Sequence, residues 1–181
     1  TDFLVPEIKT MDTLTLKVNF NEEEKTLIAK FDLPYIDYAE KTVDSLQLNF
    51  NSTANTADFR LGFADLKADP FKMSRTYFDG DLKNGMLNLN FNSFDGDQEL
   101  YIMRTQISGK NNDLKFHIEP EKLILHGEKW SIPEDNFINL QNKKIIAQNF
   151  VLSQNGQSLT IANDLMKNAP NAIIDPNVLL K

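Results

Sequence analysis

Cysteine is absent from the 181 residues. That absence excludes disulfides, thiolate metal sites and thiol catalysis together, and leaves the compartment open. Cations are outnumbered, with 19 Lys and Arg against 26 Asp and Glu and a net charge of −7. Phosphate neutralisation needs clustered Lys and Arg, so nucleic acid is not an expected partner. An acidic surface is also a poor match for anionic membranes. No apolar run approaches the roughly 18 residues that a membrane helix requires. Glycine is scarce, at seven residues. Nucleophile elbows, S-x-x-K pairs, phosphate-binding P-loops and dinucleotide fingerprints are all missing. No enzyme and no cofactor is therefore expected.

What is abundant is alternation. Leu14, Leu16, Val18 and Phe20 are separated by polar residues. So are Leu46, Leu48 and Phe50; Phe59, Leu61 and Phe63; Leu87, Leu89 and Phe91; and Leu114, Phe116 and Ile118. Successive strand side chains point to opposite faces, so each segment has one apolar and one wet face. Residues 26–31, 72–78, 99–107, 122–126, 136–140, 143–152 and 157–162 are further candidates. Together they predict roughly a dozen strands in one all-β module over residues 1–181. Thirteen Phe, four Tyr and one Trp give such strands enough to bury. Evidence for helix is limited to one or two turns over 35–42 and one turn over 163–168.

Four glycines follow Asp or Asn: Asp79-Gly80, Asn84-Gly85, Asp95-Gly96 and Asn155-Gly156. Such pairs suit hairpin turns with positive φ. Twenty asparagines stand beside the seven glycines. Several of them decorate the wet face of strands, where β-propensity alone would not place them. The run Leu46-Gln-Leu-Asn-Phe-Asn-Ser52 recurs as Leu87-Asn-Leu-Asn-Phe-Asn-Ser93. This weak repetition suits stacked supersecondary units.

Polar chemistry is sparse. His117 and His126 fall on adjacent candidate strands but lack a clear third ligand, so no metal site is expected. Asp95, Asp97 and Glu99 surround a glycine turn without completing a calcium loop, leaving a weak site as an open question. Trp130 reads as a packing anchor. With Tyr35, Tyr38 and Tyr77 it is also a candidate platform for a sugar.

The stretch from Leu123 onward is the most distinctive. Leu123, Leu125, Gly127, Glu128, Trp130, Ile132, Asp135, Asn136 and Ile138 are followed by Asn149, Phe150, Leu152, Ser153, Gln157, Ser158, Leu159, Thr160 and Ile161. In order and spacing these residues resemble the Bacteroidota-type TamB translocation and assembly module, an AsmA-like family. The resemblance implies an extended curved sheet, a β-taco groove with an apolar interior. It also implies an internal fragment of a longer repeat protein, in the periplasm or cell envelope, anchored to a membrane by parts outside this chain. The implied roles are lipid transport between membranes and outer-membrane protein assembly. The implied partners are phospholipid acyl chains, neighbouring segments of the same long protein and an outer-membrane assembly protein.

The residues expected to line the groove are Leu46, Leu48, Phe50, Phe59, Leu61, Leu87, Leu89, Phe91, Leu114, Phe116, Leu123 and Leu125. Gly127, Trp130, Asp135 and Asn136 are expected to be structural parts of the motif. Alternation alone fits a closed β-sandwich equally well, because two apolar faces can pack on each other. The alternative function is then an envelope or extracellular module that binds carbohydrate or protein.

Overall fold

The computed structural model describes residues 7–69, 71–110, 113–141 and 144–161. Among them the regular structure is all β. Long strands come first: β1 Ile8–Met11, β2 Thr15–Asn21, β3 Thr26–Tyr38, β4 Lys41–Ser52, β5 Thr56–Ala68, β6 Phe71–Lys83, β7 Met86–Asp95 and β8 Gln98–Lys110. Shorter ones follow: β9 Asp113–Ile118, β10 Leu123–Leu125, β11 Glu128–Trp130, β12 Phe137–Gln141, β13 Lys144–Gln148, β14 Phe150–Gln154 and β15 Gln157–Ile161. Thirteen of them form one antiparallel sheet, whose main path runs β1-β3-β4-β5-β6-β7-β8-β9-β12-β13. β2 shares with β1 one edge of β3, and β10 shares with β9 one edge of β8. The strands β14 and β15 form a separate hairpin.

The sheet does not close on itself, so the sandwich alternative fails and the extended curved sheet stands. Directly paired residues of an antiparallel ladder project to the same face. Following the pairs across the sheet therefore assigns faces without ambiguity. One row runs Leu16–Phe31–Leu48–Leu61–Phe78–Phe91–Met103. A second runs Val18–Ala29–Phe50–Phe59–Gly80–Leu89–Thr105–Ile118. A third runs Phe20–Leu27–Ser52–Ala57–Leu82–Leu87–Ile107–Phe116–Ile138–Ala147.

The opposite face holds the asparagines. The row Asn49–Arg60–Asp79–Asn90–Arg104 is typical of it. Asn90 Nδ2 donates to Asp79 Oδ2 at 3.0 Å and Asn88 Nδ2 to Asp81 Oδ2 at 3.2 Å. Gln47 Nε2 donates to Asp32 Oδ1 at 2.9 Å. These amide–carboxylate links give the wet face cross-strand ties that alternating like charges would not allow.

Three sequence expectations are corrected. Residues 35–42 are not a helical turn: they are the end of β3, a two-residue turn at Ala39-Glu40 (φ 48° and 67°) and the start of β4. Asp79-Gly80 is not a hairpin turn, because β6 runs through it. Gly80 lies in the second apolar row, where an added Cβ would stand 2.6 Å from the Asn88 carbonyl, 2.9 Å from Leu89 Cδ2 and 3.0 Å from Phe59 Cε1. The neighbouring strand's backbone carbonyl and the side chains of Leu89 and Phe59 fill the space over it, and that is why glycine is there. Residues 143–152 are not one strand. Asn149 has φ 48°, and this left-handed residue sends β14 out of the large sheet. The turn expected at 163–168 and the tail 170–181 lie outside the described residues.

A second feature crosses the strands. Pairing lapses at Pro34 opposite Ser45, at Ser45-Leu46 opposite Phe63-Ala64, and at Ala64 opposite Arg75. The register then slips between Ser74 and Tyr77, and again between Ser93 and Phe94. Ser45 and Arg75 have φ of 55° and 36°. A bulge bends its strand, so bulges aligned from strand to strand form a crease. The apolar alternation changes phase at the same line, and beyond it Ile36, Val43, Leu66 and Met73 form one paired row.

Candidate functional site

The apolar face is the largest organised feature of the molecule. Leu48, Leu61 and Phe91 stand in its first row, Phe50, Phe59 and Leu89 in its second, and Leu87 and Phe116 in its third. Leu114 continues the same face, paired to Gly109 and Leu140. Leu46 lies at the crease, opposite Leu33. Leu123 and Leu125 are placed differently, in the C-terminal part described below. Sequence reasoning left Leu16, Val18, Phe20, Phe31 and Phe78 out of the lining. The same alternation marks all but Phe78, which was obscured by the turn-like pair that follows it.

Between β2 and β7 this face carries no second layer among the described residues. Phe20 is 67% exposed and Leu61, in the middle of the sheet, 39%. The rings of Phe59 and Phe78 sit 5.6 Å apart, and those of Phe91 and Tyr101 6.3 Å. All four rings are half-buried. From β2 to β7 the open span is about 24 Å at the usual strand spacing.

At the other end the rows run under a cap. Phe150 and Leu152 of β14 pack with Leu123, Ile132 and Ala147 into the buried core, and Leu159 and Ile161 of β15 border it. Met103 from the first row, Ile118 from the second and Ile138 from the third pack against that core. The cap is stitched by a bridge in which Ser131 and Ser153 exchange backbone hydrogen bonds of 2.9 Å. Leu123 is 1% exposed, so it belongs to the covered core, with Leu125 and Trp130 packed beside it.

Asn136 organises the junction. It is 1% exposed. Its Nδ2 donates to the carbonyls of Ile118 and Pro133, both at 2.7 Å, and its Oδ1 accepts from Ile118 N at 3.0 Å. The side chain thus takes the place of a strand partner at the end of β9. His117 Nδ1 donates to the Asn136 carbonyl at 2.8 Å, which fixes its tautomer. Asp135 accepts from Asn149 Nδ2 at 2.5 Å, tying the junction to the left-handed exit of β13. Gly127 and His126, with φ of 78° and 54°, make the tight β10–β11 turn. The segment that carries the family resemblance therefore builds the cap, not the open face.

The two histidines are not brought together. His126 packs against Tyr101, with ring centroids 6.4 Å apart, while His117 faces Asn136. Asp97 pairs with Arg75 and Glu99 with Lys122. Among the described residues no group of three His, Asp or Glu is placed to hold a metal ion. Among the described residues one titrating group departs clearly from its ordinary value: the hydrogen bond to the Glu7 carboxylate, and the charge behind it, raise Tyr38. That pair ties β1 to β3 at the sheet edge.

No protein family, curated protein or solved structure matches this chain.

Proposed function

We propose that this chain is a hydrophobic-groove module for phospholipid acyl chains, within a periplasm-spanning protein that serves lipid transport between membranes and outer-membrane protein assembly. The observation that carries the reading is the apolar face, three residue rows deep from β2 to β7, which has no second layer among the described residues. Contiguous exposed apolar surface on this scale marks an interaction site. An acyl chain gains about 0.8 kcal/mol for each methylene buried, so such a surface holds lipid without directional ligands. The scarcity of polar chemistry on that face fits a non-catalytic role. Among the described residues β2 pairs only with β3, so its outer edge can take a strand from a neighbouring segment of the same long protein, which would extend the three rows. The resemblance of residues 123–161 to the TamB-like family supplies the cellular setting, in the periplasm or cell envelope.

Native mass spectrometry of gently purified protein, before and after incubation with phospholipid vesicles, tests the reading. The expected result is adducts of phospholipid mass on the wild type and their loss in Leu89→Asp, with the circular dichroism spectrum retained. A wild type that acquires no lipid, or a folded Leu89→Asp protein that keeps it, overturns the reading.

A further inference from the structure

The wet face carries a basin that has no part in holding acyl chains. It lies beside the crease, over β4, β5 and β6, with a volume of about 260 Å³. Register explains the hollow. Gly62, flanked by Gln47 on β4 and Tyr77 on β6, supplies no side chain, and Ala64 next along the same face of β5 supplies one carbon. Longer side chains stand around this floor. Gln47 and Asn49 form one wall and Tyr77 the other, with Arg60 and Arg75 also lining it.

The arginines are held in place. The Arg60 guanidinium lies 4.9 Å from the centroid of the Tyr77 ring. That ring stacks on Phe94 at 6.2 Å with 27° between planes, and Arg75 lies 4.3 Å from the Phe94 centroid. Stacking leaves the in-plane N–H groups of a guanidinium directed outward, where they suit an oxyanion. Their existing ion pairs are loose and exposed: Arg60 to Asp79 at 3.4 Å and Arg75 to Asp97 at 3.6 Å. Such pairs are worth little in water and yield readily to a ligand. Two of the chain's three arginines thus line a basin that no Asp or Glu among the described residues lines, on a protein of net charge −7. Arg75 moreover holds φ at 36°, which is unfavourable for a side chain of its size.

From this arrangement we infer that the basin binds a sugar ring bearing an anionic group, a carboxylate or a phosphate. Arg60 and Arg75 meet the oxyanion. The amides of Gln47 and Asn49 meet ring hydroxyls, and the basin has room for about one such ring. This site lies on the opposite face from the apolar rows, so it stands or falls separately from lipid binding.

Chemical-shift titration of labelled protein with glucuronate and with glucose 6-phosphate tests it, with glucose and inorganic phosphate as controls. At least one of the two anionic sugars should saturate shifts of Gln47, Asn49, Gly62 and Tyr77 more tightly than either control. Arg60→Gln and Arg75→Gln should each weaken that binding by about tenfold, as expected for loss of a charge-assisted hydrogen bond. Ala64→Glu places a carboxylate on the floor at an exposed position and should abolish it. All three sites are exposed, and unchanged circular dichroism shows that the variants fold. The inference is overturned by an absence of saturable shifts, by glucose or phosphate alone binding as well as the anionic sugars, or by full binding in the Ala64→Glu protein.

Discussion

The same three apolar rows meet two different fates along one sheet. From β2 to β7 they face outward, and Leu61 remains 39% exposed in the middle of the sheet. From β8 to β13, Met103, Ile118, Ile138 and Ala147 of these rows join the core under the β14–β15 hairpin, where Leu123 is 1% and Ile132 5% exposed. The strands in the two regions have the same alternation and the same pairing. What differs, among the described residues, is the β14–β15 hairpin, which packs on one region and not on the other. Alternation therefore specifies a face, and only the return of the chain decides whether that face becomes core or remains a surface for something else.

The sharpest way to break this comparison is to truncate equivalent leucines in the two regions. Leu123→Ala should destabilise the protein by about 3 kcal/mol in denaturant unfolding, because a covered leucine leaves a cavity. Asn136→Ala should cost somewhat less, about 2 kcal/mol by the same measurement, since it strands the Ile118 N–H and the Ile118 carbonyl without replacing their partner. Leu61→Ala should cost less than about 1 kcal/mol, because much of that side chain is already in water. Equal losses for Leu61→Ala and Leu123→Ala would mean that the face is covered at both ends. The smallest effect concerns the crease. Ser45→Gly relieves a left-handed serine and should raise the thermal midpoint slightly, by the equivalent of at most about 1 kcal/mol. A fall instead would mean that the serine hydroxyl, which donates to Asp44 at 2.5 Å, matters more than backbone strain.

Much of this was legible in the residues. The Leu-x-Leu-x-Phe segments of β4 and β7 announce their strands and their shared face, and the Asn-Gly pairs at 84–85 and 155–156 do make hairpin turns, with positive φ at all four residues. The crease was not legible, because Ser45, Ala64 and Arg75 carry no turn signature. Their conformations come from registers set by neighbouring strands. Gly80 misled because Asp-Gly usually signals a turn, whereas here the glycine is demanded by the Asn88 carbonyl on β7, with Leu89 and Phe59 closing over it. The division of residues 143–152 between two sheets turns on Asn149, one asparagine among twenty. The wet-face basin combines a gap in one strand with long side chains on its neighbours. No single strand contains it, so only Tyr77 among its residues stood out as a candidate platform.

The absence of cysteine makes the central claim directly measurable, since any single introduced thiol reports on its own position. Leu61→Cys and Leu123→Cys can each be timed against a water-soluble maleimide, with and without phospholipid vesicles. An open, lipid-binding face predicts rapid labelling at position 61 in buffer and marked slowing once lipid is added, with position 123 slow in both. Slow labelling at position 61 in lipid-free buffer would show that the face is already covered. Labelling there that lipid leaves unchanged would show that acyl chains are not what the face receives.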